Sequence, residues 1–178
     1  MIHLCIFSGH NAPLAPGRRV YLTVFGGADL SRPTLAKQMI ERFRRQQAGD
    51  TVPGHFFITL FGGVSIKVPT LAEEFLDLQH AVRGGQLTLT QWDQALAEVG
   101  HYNVWPLGSL TLFGGYDAEE LPSENTEVEQ IAQSRHLGYL SDEAATLLAG
   151  AIGTRGTPRG TVVRQAVATS MAPDSVER

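Results

Sequence analysis

Arginines in a glycine-rich stretch are the residues whose type and spacing come nearest to a chemical site in this chain. In Gly153-Thr154-Arg155-Gly156-Thr157-Pro158-Arg159-Gly160, Arg155 and Arg159, followed by Arg164, surround backbone that three glycines leave accessible. Guanidinium forks beside bare amide N–H groups suit a phosphate or a carboxylate, so the three arginines are an anion-binding candidate. The plainer reading is a surface loop whose arginines are solvated, and it is the preferred one. Arg42, Arg44 and Arg45 form a second basic cluster. It reads as a solvated helix face, because appreciable affinity for a nucleic acid rests on about half a dozen phosphate contacts.

Other chemistries find less support. His3, His10, His55, His80, His101 and His136 stand one at a time, at none of the short spacings that build a metal site on one helix or loop. No Gly-x-Ser-x-Gly marks a nucleophile elbow, and Ser8-Gly9-His10 is too local to form a triad. Neither phosphate-binding glycine pattern occurs. The carboxylates Glu73-Glu74, Glu119-Glu120 and Glu124/Glu127/Glu129 are expected at helix starts, where negative charge complements the helix dipole. No catalytic residue, metal ligand or cofactor is assigned.

The elements that must position these residues are organised by an internal repeat. Val20-Tyr21-Leu22-Thr23-Val24-Phe25-Gly26-Gly27 returns as Phe56-Phe57-Ile58-Thr59-Leu60-Phe61-Gly62-Gly63 and again as Ser109-Leu110-Thr111-Leu112-Phe113-Gly114-Gly115, with a degenerate copy at Cys5-Ile6-Phe7-Ser8-Gly9. Ser31-Arg32-Pro33-Thr34-Leu35-Ala36 parallels Lys67-Val68-Pro69-Thr70-Leu71-Ala72. Each copy reads as a strand, a Gly-Gly, a second short strand, a proline and then a helix. The glycines permit positive φ, a bulge or close backbone approach. Phe25, Phe61 and Phe113 are expected to stack as a core ladder, since stacked repeats bury a continuous core through in-register apolar residues.

Periodicity adds the helices. Leu71, Phe75, Leu78 and Val82 make an apolar stripe that begins at Thr70 or Pro69 and ends at Gly84-Gly85. Leu35, Met39, Ile40 and Phe43 make another, and Trp92, Leu96 and Val99 predict a helix over 90–99. Ser123 is placed to cap a helix carrying Val128, Ile131 and Ala132, and Ser141 one carrying Ala145, Leu148 and Ala149. The expected fold class is α+β, a layered β-sheet or β-helix-like core of repeated strand-FGG-strand units with peripheral helices. One domain is expected over 1–168, with a helical subdomain at 123–168 and a frayed tail at 169–178. The segment Ile2 to Phe7 is strand-like and is expected either in mid-sheet or paired across a two-fold axis in a homodimer.

Composition bounds the rest. At 178 residues with 43% hydrophobic and 18% charged content, the chain can bury roughly two-thirds of its unfolded surface without metal or disulfide. Eighteen acidic against fourteen basic residues give a formal charge of -4, which provides no global attraction for phosphate backbones or anionic lipid. Nucleic acid is therefore not an expected partner, and no apolar window is long enough for membrane insertion. The single cysteine, Cys5, lies in the apolar run Leu4-Cys5-Ile6-Phe7 and reads as a small buried hydrophobe. No secretory signal pattern is visible, so the expected location is the cytoplasm.

The segment from Phe56 to Pro69, with Phe61-Gly62-Gly63-Val64-Ser65-Ile66-Lys67-Val68-Pro69 at its centre, resembles the bacterial cell-wall-active antibiotic response family, the LiaF-like C-terminal domain. There a hydrophobic strand ends in Phe-Gly, resumes as an apolar-polar-Ile strand and closes on Val-Pro; Val20 to Leu30 and Leu110 to Asp117 look like further rungs. The resemblance implies a layered β fold in a bacterial protein that relays cell-envelope stress by binding a protein partner. The expected function is thus a non-catalytic bacterial binding or regulatory module. The alternative is a small hydrolase or transferase with a site composed from scattered His, Asp and Arg residues.

Overall fold

The structure is a computed structural model, and it describes residues 2–6, 10–13, 20–25, 28–47, 49, 56–61, 64–99, 108–113 and 116–171. In chain order the elements are β1 (Ile2–Ile6), β2 (His10–Pro13), β3 (Val20–Phe25), β4 (Ala28–Ser31), α1 (Leu35–Gln47), β5 (Phe56–Phe61), β6 (Val64–Lys67), α2 (Leu71–Arg83), α3 (Leu89–Val99), β7 (Gly108–Phe113), β8 (Tyr116–Glu120), α4 (Glu124–His136), α5 (Asp142–Ala149) and α6 (Thr157–Met171). They fall into two compact units, Met1–Pro69 with Val104–Leu121, and Thr70–Asn103 with Pro122–Arg178. The division differs from the single domain expected over 1–168. The second unit takes in α2 and α3 as well as the helices after Pro122.

In the first unit each copy of the repeat contributes one strand to each of two parallel sheets. One sheet has the order β1-β3-β5-β7 and the other β2-β4-β6-β8. The register follows the sequence alignment: Phe25 lies beside Phe61, and Phe61 beside Phe113. β-branched and aromatic residues favour such strands. Past the strands the ladder continues, with Arg32 N–H donating to Lys67 O at 3.0 Å and Val68 N–H donating to Glu120 O at 3.0 Å. β8 breaks step once, because Ser65 pairs with Asp117 whereas Lys67 pairs with Glu120. The extra residue is a bulge in the edge strand, and the Ser65 hydroxyl donates to the Glu120 carboxylate beside it.

The second unit is helical, and its helices begin where side chains satisfy their first amides. Thr70 caps α2 in a reciprocal box: its hydroxyl accepts from Glu73 N–H at 3.2 Å while Glu73 Oε2 accepts from Thr70 N–H at 2.9 Å. Gly84 ends the helix, and Gly85 follows at φ +67°, a left-handed conformation in which a Cβ is strained. Ser123 caps α4 and Ser141 caps α5. α6 packs on α2, α3 and α5, and α4 on α2 and α5. Phe75, Leu78, Trp92, Leu148, Val163 and Val167 are sealed from solvent there.

The expected fold class, a sheet core with peripheral helices, is corrected. Among the described residues six helices of 8 to 15 residues outweigh strands of 4 to 6, so helix is the commoner state there. The physical reason is that α2 to α6 bury their apolar stripes on one another and so need no sheet to cover them. The core-ladder expectation fails at Phe25, which is 40% exposed. Gly26, Gly27, Gly62, Gly63, Gly114 and Gly115 lie outside the described residues. β1 occupies an edge among the described strands, which corrects the mid-sheet placement of Ile2 to Phe7.

Candidate functional site

The three arginines of the anion hypothesis are held in different settings. The stretch read as a loop over 153–160 becomes helix at Thr157, with Pro158 in the first turn, where its missing N–H has no intrahelical partner to lose. Arg155 is exposed ahead of that helix. Arg164 Nε donates to both oxygens of Asp93 on α3, at 3.1 and 3.2 Å. Arg159 is buried, its side chain 1% exposed, and its Nη2 donates at 2.8 Å to Glu127 Oε1, whose side chain is 2% exposed. These cations thus serve helix packing at two of the three positions.

Glu127 is the residue the sequence reading undervalued. Its second oxygen accepts from Leu71 N–H at 2.8 Å, an amide in the first turn of α2 with no partner inside its own helix. One carboxylate thereby ties α4 to both α2 and α6, and its charge meets the positive end of the α2 dipole. Beside it the Thr70 hydroxyl donates to Gln130 Oε1 at 2.6 Å. The signal was present in the spacing. Glu127, Ile131 and Ser134 fall at i, i+4 and i+7 on the buried face of α4, and Arg159, Val163, Ala166 and Val167 share the buried face of α6. A charge standing in an apolar stripe marks a buried pair. Glu119 and Glu120, read as a helix start, lie instead in β8.

His80 and His136 are exposed in the last turns of α2 and α4, and His3 and His10 lie in β1 and β2. Among the described residues no group of three or more His, Cys, Asp or Glu side chains is arranged to hold a metal ion. No helix among them is long and apolar enough to cross a membrane.

A groove of about 330 Å³ lies between α4 and α5, lined by Val128, Ile131, Ala132, Arg135, Asp142, Ala145, Thr146 and Ala149. The sequence placed Val128 on the helix capped by Ser123, with Ile131 and Ala132. It is 54% exposed, because the face of α4 turned to the core is that of Glu127, Ile131 and Ser134. Val128 and the alanines give the groove an apolar lining. Arg135 Nε donates to Asp142 Oδ1 at 2.6 Å, both side chains being well exposed. Such a pair contributes only about 0 to 1 kcal/mol and exchanges partners readily. Arg135 and Asp142 are the charged residues of the groove's lining.

No protein-family model, curated protein or solved structure matches the chain. The predominance of helix departs from the layered β fold that the resemblance implied.

Proposed function

We propose that this protein is a non-catalytic binding module whose docking surface is the groove between α4 and α5. Its occupant is a segment of another protein that carries a large apolar anchor flanked by Lys or Arg. The observation that carries the reading is a groove lined by exposed Val128 and three alanines that also holds the exposed Asp142 carboxylate. Amphipathic segments bind by seating apolar anchors in such grooves, with charge on the rim setting orientation and partner choice. Asp142 can exchange the Arg135 guanidinium for a partner's cation at small cost, since the pair it leaves is solvated. A cytoplasmic setting belongs to the same proposal, supported by a fold whose single cysteine forms no internal disulfide.

The test uses a fluorescein-labelled amphipathic helix of leucine and lysine, a matched helix of leucine and glutamate, and the full chain. Fluorescence polarisation is expected to show saturable binding of the lysine helix and at least about tenfold weaker binding of the glutamate helix. Val128→Asp adds a negative charge, which by bulk attraction alone would tighten the lysine helix. The groove predicts the opposite, a loss of about tenfold, while Gln165→Asp on α6 leaves binding unchanged. Tighter binding to Val128→Asp, or equal binding of both helices, would overturn the proposal.

A further inference from the structure

The two sheets of the repeat unit end differently at their edges, and the difference points to a second interaction surface that is independent of the α4–α5 groove. An edge strand presents unpaired N–H and C=O groups, and natural proteins blunt such edges with proline, charge or a bulge. The sheet β2-β4-β6-β8 is blunted at both ends. β2 carries Pro13, which has no N–H to donate. β8 carries Asp117, Glu119 and Glu120 together with the register shift opposite Ser65–Lys67. The sheet β1-β3-β5-β7 has neither device. β1 reads Ile2-His3-Leu4-Cys5-Ile6 and β7 reads Gly108-Ser109-Leu110-Thr111-Leu112-Phe113, with no Asp, Glu, Lys, Arg or Pro in either. Among the described residues no strand pairs with the outer side of β1.

We infer that β1 is the contact of a homodimer, in which it pairs antiparallel with β1 of a second copy across a two-fold axis at Leu4. The sequence of β1 is self-complementary in that register. Ile2 falls opposite Ile6 of the other copy, Leu4 opposite Leu4, and His3 opposite Cys5, so apolar residues meet apolar ones and no like charges face each other. β7 matches itself less fully: a two-fold at Thr111 would set Leu110 against Leu112 and Thr111 against Thr111 but Ser109 against Phe113.

Head-to-tail stacking, β7 of one copy beside β1 of the next, is the competing arrangement. It would continue the parallel register of the repeat, in which Ile2, Val20, Phe56 and Gly108 form one row. It also requires β8 to join β2 of the next copy, and there the carboxylates and bulge of β8 would meet Pro13. The two-fold contact closes at two subunits, where stacking would grow without limit.

Sedimentation velocity on the intact chain from about 1 to about 100 µM is expected to show a species of twice 19.3 kDa that gains population with concentration. A 19.3 kDa species throughout would overturn the inference. Leu4→Lys places two like charges face to face and is expected to weaken association at least about tenfold; an unchanged dimer would equally overturn it. Should that variant not fold, cysteine cross-linking decides the question. Leu4→Cys with Cys5→Ser is expected to give a covalent dimer under mild oxidation, whereas Leu112→Cys with Cys5→Ser is not. No cross-link at Leu4 refutes the contact, and so do species larger than a dimer in sedimentation velocity, which would mark head-to-tail stacking.

Discussion

At the scale of residues, the Glu127–Arg159 pair decides more than its number of bonds suggests. Removing one member of a buried pair leaves the other charged and without its counterion, which costs about 3 to 5 kcal/mol. Arg159→Met is therefore expected to lower stability by that amount in urea unfolding. Glu127→Gln keeps an acceptor for Leu71 N–H while it removes the charge. Combined with Arg159→Met it is expected to be less destabilising than the sum of the single changes, with a coupling of at least about 1 kcal/mol in the double-mutant cycle. Additive effects would show that the pair contributes nothing beyond its separate contacts. Trp92 belongs to the same class of residue, since its indole N–H donates to Gly160 O at 3.2 Å from a fully buried ring. A buried indole needs such an acceptor.

At the scale of elements, side-chain N-caps should differ in strength where their surroundings differ. Thr70 is buried, takes part in a reciprocal box with Glu73 and reaches Gln130. Ser123 is exposed, and its hydroxyl bonds only to its own first turn, at Thr126 N–H and Thr126 Oγ1. Thr70→Ala is expected to cost about 2 kcal/mol and Ser123→Ala about 0.5 to 1 kcal/mol, the upper and lower parts of the range for lost caps. Thermal unfolding of the two variants checks the order, and equal costs would show that the neighbours of Thr70 add nothing. α4 illustrates how an element's face is chosen. Its apolar residues alone suggest that Val128 is covered, whereas a buried carboxylate rotates the inward face by one position and leaves Val128 at the groove.

At the scale of the molecule, the second unit is built from two stretches of chain, 70–103 and 122–178. α2 relies on α4 and α6 for its packing and on Glu127 and Gln130 at its N-terminus. A chain ending at Leu121 retains the sequences of α2 and α3 but none of those partners. Isolated helices of 11 and 13 residues are marginal in water. Far-UV circular dichroism of the 1–121 chain is thus expected to show helix for α1 at most. Full helical signal from α2 and α3 in that chain would mean that their stability is local.

The sequence by itself determined what depends on neighbours along the chain. The caps at Thr70, Ser123 and Ser141, the stop at Gly84-Gly85 and the helix spacings of Leu71, Phe75 and Leu78 each follow from short-range sterics and hydrogen bonding. The alignment that sets Phe25 beside Phe61 and Phe113 was legible for a related reason, since similar segments offer one another the same pleat and pattern. Tertiary structure decided what depends on residues far apart. It set Arg159 against Glu127 rather than an anion, turned Thr157–Gly160 from apparent loop into helix, exposed Phe25 and Val128, and gave the helices a unit of their own. In each case a distant partner changed the cost of burial, and a linear pattern carries no record of who that partner is.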